Sequence, residues 1–252
     1  MATFLYSAGE FFETEENSAI LVADSLLVTD GQVRSLDKHI VRFITHTSAK
    51  APQLLPLLPD FIFKALNLVP KTGRQFPRLE IQEDLTLKIQ IRPAPETKPT
   101  AVLWTYPEPD PRHDLTVKGP ELNLGSTIRD KAQQHGADEA ILLNQEGFIS
   151  EGALSSLVWW EGETLVAPSN EIPWLESITR QEVFEIANNL NIETKTKLAR
   201  PEDLVGKEVW LMSSLQGIRP VTEWVGLSKN FKPGEHKDLF DQELLKFVAP
   251  LP

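Results

Sequence analysis

The chain of 252 residues carries a net charge of −11 and no cysteine, which excludes disulfides, thiolate metal sites and a cysteine nucleophile. The acidic balance argues against a nucleic-acid partner, and no apolar run reaches membrane-spanning length. The start, MATFLYSAGEFFETEE, lacks the basic n-region of a secretory signal, and with cysteine absent this fits a cytoplasmic protein.

The first third reads as α+β. Residues 19–28 are strand-like, and Thr29, Asp30 and Gly31 form a turn signal leading into a second short strand. From Leu36 the pattern becomes helical, with Leu36, Ile40, Phe43, Ile44 and Thr47 on one face. A second helix is expected over residues 59–68. The segments RLEIQ and TLKIQIR alternate with period two, as half-buried strands do. Between Arg92 and Asp114 prolines and charges crowd the chain. Such a stretch is expected to hold neither a long helix nor a central strand, apart from the apolar island Ala101 to Trp104. The domain boundary is therefore expected at residues 106–114, between a small domain (1–105) and a larger one (112–252) that opens with a lysine segment. A helix is expected over 124–135, ended by Gly136. Short antiparallel strands follow in EAILLN, GFIS, SSLVWWEG and TLVAPS, then a helix over 179–190, then strands in ETKTKLA and EVWLMSS. The fold class is α/β, a two-domain α+β arrangement. The five histidines show no metal-ligand spacing, and neither a Walker nor a GxGxxG segment occurs.

Several polar residues stand out within this frame. Lys118 lies in VKGPELN, and Glu151, thirty-three residues on, in GFISEGALSSL. Ser177, Ile178 and Thr179 open the last long helix, Arg42 sits in LDKHIVRF, and Ser214, Leu215 and Gln216 sit in SSLQGIRPV. Taken singly, each has a plain reading. Lys118 is a surface lysine, Glu151 a turn glutamate beside Gly152, and Ser177 or Thr179 an N-cap. Arg42 is a solvated helix arginine, and residues 213–221 are a strand with a Gly turn.

Taken in order and spacing, with HGADEAILL between the lysine and the glutamate, these segments resemble the fold-type IV enzymes of the class IV aminotransferase family. That family uses pyridoxal 5′-phosphate (PLP). The resemblance implies that Lys118 binds the cofactor's aldehyde and moves the proton. It makes Glu151 the partner of the pyridine nitrogen, Ile178, Thr179, Ser214 and Arg42 the phosphate site, and the amides of Leu215 and Gln216 the holders of a substrate carboxylate. It also implies a cofactor cleft between the domains and a homodimer. Three positions depart from the family pattern: Ser177 replaces a glycine, Ser156 an asparagine, and Asn123 a tyrosine. The turn SLQG looks more like that of aminodeoxychorismate lyases, enzymes of folate biosynthesis, than the Thr-Ala turn of aminotransferases. The leading expectation is thus a lyase taking 4-amino-4-deoxychorismate to 4-aminobenzoate and pyruvate. A transaminase of branched-chain or D-amino acids is the alternative, and a non-catalytic binder on the same fold is the third.

Overall fold

The computed structural model describes residues 1–252 as two compact units. The first comprises Met1–Glu96, Val117–Pro120 and Phe247–Pro252, and the second Thr97–Thr116 and Glu121–Lys246.

The first unit is built on an antiparallel sheet ordered β2-β1-β8-β7-β3. Its strands are β1 (Ala2–Ser7), β2 (Glu10–Glu13), β3 (Ile20–Ser25), β7 (Arg78–Gln82) and β8 (Leu87–Ile91). The strand-like run at 19–28 divides into β3 and β4 (Val28–Thr29), and β4 turns back as β5 (Gln32–Arg34). Asp30 and Gly31 make that turn with φ of 48° and 71°, the left-handed pair that a two-residue hairpin of this kind requires. A small second sheet joins β5 and β4 to β6 (Arg74–Gln75) and to the C-terminal residues Val248–Pro250. Helices α1 (Leu36–Lys50) and α2 (Leu58–Leu68) form where the 3.6-residue period placed them, and Phe43, Phe61, Ile81 and Ile89 share the core.

The buried face of α1 keeps Phe43 and Thr47 of the expected set, with Leu36 and Ile40 packed against the core, but turns away from Ile44. His39, Arg42, Phe43, His46 and Thr47 point inward, whereas Ile44 is 38% exposed. Polar residues displaced an isoleucine from the inner stripe because a buried acid, Asp24 on β3, lies opposite them.

The second unit is an eight-stranded sheet ordered β11-β10-β9-β16-β15-β12-β13-β14. The strands are β9 (Ala101–Pro109), β10 (Glu139–Leu143), β11 (Ile149–Gly152), β12 (Ser156–Glu161), β13 (Thr164–Pro168), β14 (Thr194–Lys197), β15 (Val209–Ser213) and β16 (Gly217–Val225). Most pairings are antiparallel, but β9 runs parallel to both β10 and β16, and β13 runs parallel to β14. The apolar island read from the sequence is thus the start of a nine-residue central strand, which runs on through residues 106–109 where a linker was expected. Its prolines do not disrupt it because Pro107 and Pro109 fall at its exposed end, past the continuous pairing of Ala101–Thr105, where Pro109 meets Leu143 only after a register shift.

Helices α3 (Leu122–Gln134), α4 (Ile178–Asn189) and α5 (Lys237–Leu244) complete this unit, and Gly136 closes α3 at φ 79°. The lysine segment Val117–Pro120, expected to open the second domain, is counted with the first unit because its backbone bonds to β3 and α1. No helix is long and apolar enough to cross a membrane.

Candidate active site

The residues singled out in the sequence divide between the units. Arg42 and Lys118 lie in the first, and Glu151, Ile178, Thr179, Ser214, Leu215 and Gln216 in the second.

In the first unit Arg42 is 6% exposed, not solvated. Its Nε donates to Asp24 Oδ2 at 2.7 Å and its Nη2 to Asp24 Oδ1 at 2.9 Å, while His39 Nδ1 lies 2.6 Å from the same Oδ1. Burial disfavours a charged Asp24, but Arg42 and His39 outweigh it and hold the carboxyl well below the usual carboxylate range. The result is a guanidinium whose orientation is fixed by a bidentate partner. Lys118 lies outside any helix or strand. Its carbonyl accepts the Ala23 N–H at 2.7 Å, and its own N–H donates to His46 Nδ1 at 3.2 Å. Gly119 allows this approach, since a Cβ there would sit 2.6 Å from Leu21 O and 2.8 Å from Val22 Cα.

In the second unit Glu151 is 5% exposed on β11. Arg112 Nη2 lies 3.0 Å from its Oε1, and the Leu175 amide reaches that oxygen at 3.4 Å. Arg112 itself is committed to Asp110, with Nε at 2.9 Å from Oδ1 and Nη2 at 2.6 Å from Oδ2. Burial pushes the Glu151 carboxyl up to about 7; Arg112 and the Leu175 amide offset this only in part, and the charge of Asp110 adds to it. Glu151 is therefore no solvated turn residue. The reading of residues 106–114 as a linker hid Arg112 and Asp110. The only signal for them was an arginine two residues after an aspartate, a short-range pairing.

Helix α4 begins at Ile178, after Ser177 at φ −81° and ψ 125°. That is extended backbone which serine adopts readily, so the change from the family's glycine needs no adjustment. Ser177 Oγ accepts the Arg180 N–H at 3.3 Å, and the Ser177 carbonyl accepts the Gln181 N–H at 3.0 Å. Ile178 and Thr179 are the first two residues of the helix, and their side chains are buried. Such a helix start favours an anion. Arg180 is buried with its guanidinium 3.6 Å above the Trp174 ring, and burial lowers its pKa to about 10, with Glu151 opposing.

Ser214, Leu215 and Gln216 form the turn between β15 and β16. Ser213 Oγ accepts the Gln216 N–H at 3.1 Å, and Gln216 Oε1 accepts the Lys98 N–H at 2.9 Å, so both ends of Gln216 are held. Ser156 starts β12 opposite Met212 on β15, in the last pair of that ladder before this turn. Within the second unit the helix start, the Ser214 hydroxyl and the turn suit an anion such as a phosphate ester or a carboxylate, and within the first unit the oriented guanidinium of Arg42 does so separately. The near-neutral acid Glu151 suits a ring nitrogen. No group of three or more His, Cys, Asp or Glu residues could hold a metal ion.

Residues 21–224 match the family described as amino-transferase class IV. Over 106 residues the chain is 33% identical to a probable branched-chain-amino-acid aminotransferase of Rickettsia typhi, covering 41% of this chain and 36% of that protein. Over 98 residues it is 30% identical to an aminodeoxychorismate lyase of Bacillus subtilis, covering 38% and 33%. The matches thus span about a third of these curated relatives' own length. Among solved structures, a branched-chain aminotransferase from Thermoproteus uzoniensis with norvaline aligns over 100% of both chains at 18% identity and a TM-score of 0.79. A hypothetical aminotransferase from Mycobacterium tuberculosis in its PLP-bound form aligns over 97% of each chain at 18% identity and a TM-score of 0.76. At such identities these structures show a shared fold, the mixed α/β arrangement expected from the resemblance to fold type IV. With most of its length matched by the family model, the chain belongs to the class IV amino-transferase family.

Proposed function

We propose that the chain binds PLP and acts as an aminodeoxychorismate lyase-like enzyme, releasing pyruvate from 4-amino-4-deoxychorismate to leave 4-aminobenzoate. The observation that carries the cofactor reading is Glu151, a buried carboxyl pushed up to about 7 with one shared guanidinium beside it. An acid poised near neutrality can hold a proton against a pyridine nitrogen. When bound, the cofactor supplies an electron sink for the carbon that loses a proton. Lys118 provides the amine that holds the cofactor and then moves that proton. Arg42, Ser214 and the amides of Ile178 and Thr179 bind the phosphate, and the amides of Leu215 and Gln216 orient a substrate carboxylate, the Gln216 N–H exchanging its bond to Ser213 Oγ for one to the carboxylate.

The lyase reading rests on the SLQG turn, and a relative named as a lyase supports it. Transamination of branched-chain or D-amino acids is the second reading, supported by the relatives named as branched-chain aminotransferases. A non-catalytic binder is the third, and the ordinary backbone of Ser177 removes one of its two motives. The resemblance further supports a cytoplasmic homodimer, which sedimentation of the purified protein tests.

The deciding experiment is a cofactor spectrum followed by turnover of aminodeoxychorismate with and without keto acids. The lyase reading expects a pyridoxal chromophore and 4-aminobenzoate formed without any keto acid. A strict keto-acid requirement would replace it with the transaminase reading, and absence of the chromophore would leave the binder.

A further inference from the structure

We infer that His46 is the positioning residue of the reactive lysine: its ring Nδ1 accepts the backbone N–H of Lys118 and so fixes that peptide on the first unit. The inference rests on the reading of Lys118 as the lysine that holds the cofactor.

The tether is short and specific. Only Val117–Pro120 belongs to the first unit in this stretch; the residues before and after it belong to the second. Four observations describe how these residues are held. Val117 packs against the first unit's core. The Lys118 carbonyl accepts the Ala23 N–H at 2.7 Å, beside the buried Asp24. The Lys118 N–H meets His46 Nδ1 at 3.2 Å. Gly119 then lies against the backbone of Leu21 and Val22, where any Cβ would collide. Together these hold the Lys118 peptide from both sides.

The chemistry of the His46 contact is restrictive. A backbone N–H only donates, so Nδ1 must present its lone pair. The ring is therefore the neutral imidazole with its proton on Nε2, because an imidazolium has no acceptor nitrogen. His46 is 6% exposed and shares the inner face of α1 with His39 and Arg42, at positions i, i+3 and i+7. One helix face thus carries the guanidinium fixed by Asp24 and, one turn further on, the acceptor that fixes Lys118. A reactive amine needs this, since displacement of its Cα by about 1 Å is enough to lower a rate substantially. The long lysine stem can swing, but the peptide from which it swings is set.

The test compares His46→Asn, whose side-chain oxygen can stand where Nδ1 stands, with His46→Leu, which fills the site without an acceptor. Two readouts are taken: hydrogen exchange of the Lys118 amide in cofactor-free protein, and the rate at which PLP followed by borohydride labels Lys118. His46→Leu should speed the amide's exchange by about tenfold, the loss of one hydrogen bond, and slow the labelling. His46→Asn should restore both towards the parent's values. Unchanged exchange in His46→Leu, or an Asn variant no better than the Leu variant, overturns the inference. If His46→Leu does not fold, nitrogen NMR of the parent's ring decides: an unprotonated Nδ1 supports the assignment and a protonated Nδ1 overturns it. If the parent itself is never labelled at Lys118, the cofactor reading fails, and the amide exchange still judges His46 on its own.

Discussion

At its candidate site each unit sets a buried carboxylate against an arginine, and the two pairs end up in opposite states. In the first unit Asp24 receives two bonds from Arg42, at 2.7 and 2.9 Å, with His39 2.6 Å away. In the second, Glu151 has Arg112 at 3.0 Å and a long contact from the Leu175 amide at 3.4 Å, while the same guanidinium also serves Asp110. Burial works against the charge of both acids. It is overcome at Asp24, which stays ionised well below the usual range, and it prevails at Glu151, which rises to about 7. Donors committed to the acid, rather than proximity to an arginine, decide the sign. Asp24 is thus a fixed anion whose work is to orient Arg42, and Glu151 is an acid that can change its proton.

Breaking the first pair should give the largest effect. Asp24→Ala leaves Arg42 and His39 buried without their shared acceptor, and removing one partner of such a pair costs about 3–5 kcal/mol. Urea denaturation measures it. A loss under about 1 kcal/mol would mean that Asp24 is as weakly held as Glu151, and the contrast between the units would disappear.

Glu151→Gln should slow turnover about 100-fold, on the order of 3 kcal/mol, because an amide cannot keep a proton on a ring nitrogen. Its effect on the cofactor-free protein has the opposite sign. The folded carboxyl sits at about 7, above its ordinary 4.5, so the folded state binds this proton more tightly than the unfolded chain does. The stability so gained is complete below the unfolded value and is lost as pH rises through 7. Glutamine does not titrate. The variant should therefore gain on the parent by on the order of 2 kcal/mol between pH 5 and pH 8. Thermal melts across that range provide the measurement, and a pH-independent difference would show Glu151 to be an ordinary ionised acid.

Arg42→Ala sharpens the same comparison from the other side. A charge-assisted bond to a phosphate is worth on the order of 2 kcal/mol, so PLP affinity should fall by that much in a titration of cofactor-free protein. Read as a solvated helix residue, Arg42 would leave the melting temperature of that protein unchanged. Its burial and its hold on Asp24 instead require the melting temperature to drop. Equal affinity in variant and parent would remove Arg42 from the phosphate site, whatever the melt shows.

The elements that repeat with a clear period were legible in the sequence: α1, α2, α4 and the hairpin of β7 and β8 stand within two residues of where the pattern put them. Legibility failed where polarity and burial part company. Asp24 lies inside the apolar run of β3, and His39, Arg42 and His46 take the inner face of α1, so hydrophobic spacing pointed to Ile44 instead. Prolines made the end of β9 and the residues after it an apparent linker, and Arg112 and Asp110 were hidden with it. The misses on β3 and α1 share a cause. Which polar group is buried depends on the partner facing it, and that partner is distant in sequence: eighteen residues for Asp24 and Arg42, seventy-two for His46 and Lys118.

The smallest expected effect separates the helix starts of the two units, each of which has a serine at the cap position. Ser177 has extended backbone, and its Oγ accepts the Arg180 N–H at 3.3 Å. Ser35, before α1, has a left-handed φ of 46°, makes no side-chain cap and buries its hydroxyl without a partner. Ser177→Ala should therefore cost about 1 kcal/mol, and Ser177→Gly only a few tenths, as expected of a working cap. Ser35→Gly should cost nothing and can gain about 1 kcal/mol, because glycine adopts the left-handed region without the Cβ clash that serine carries there. Denaturant midpoints of the three variants against the parent provide the measurement. Equal losses at both positions would mean that Ser35 supports α1 through its hydroxyl after all. Opposite signs would mean that α4 is held at its start by a serine cap, and α1 by the packing of its polar inner face against β3.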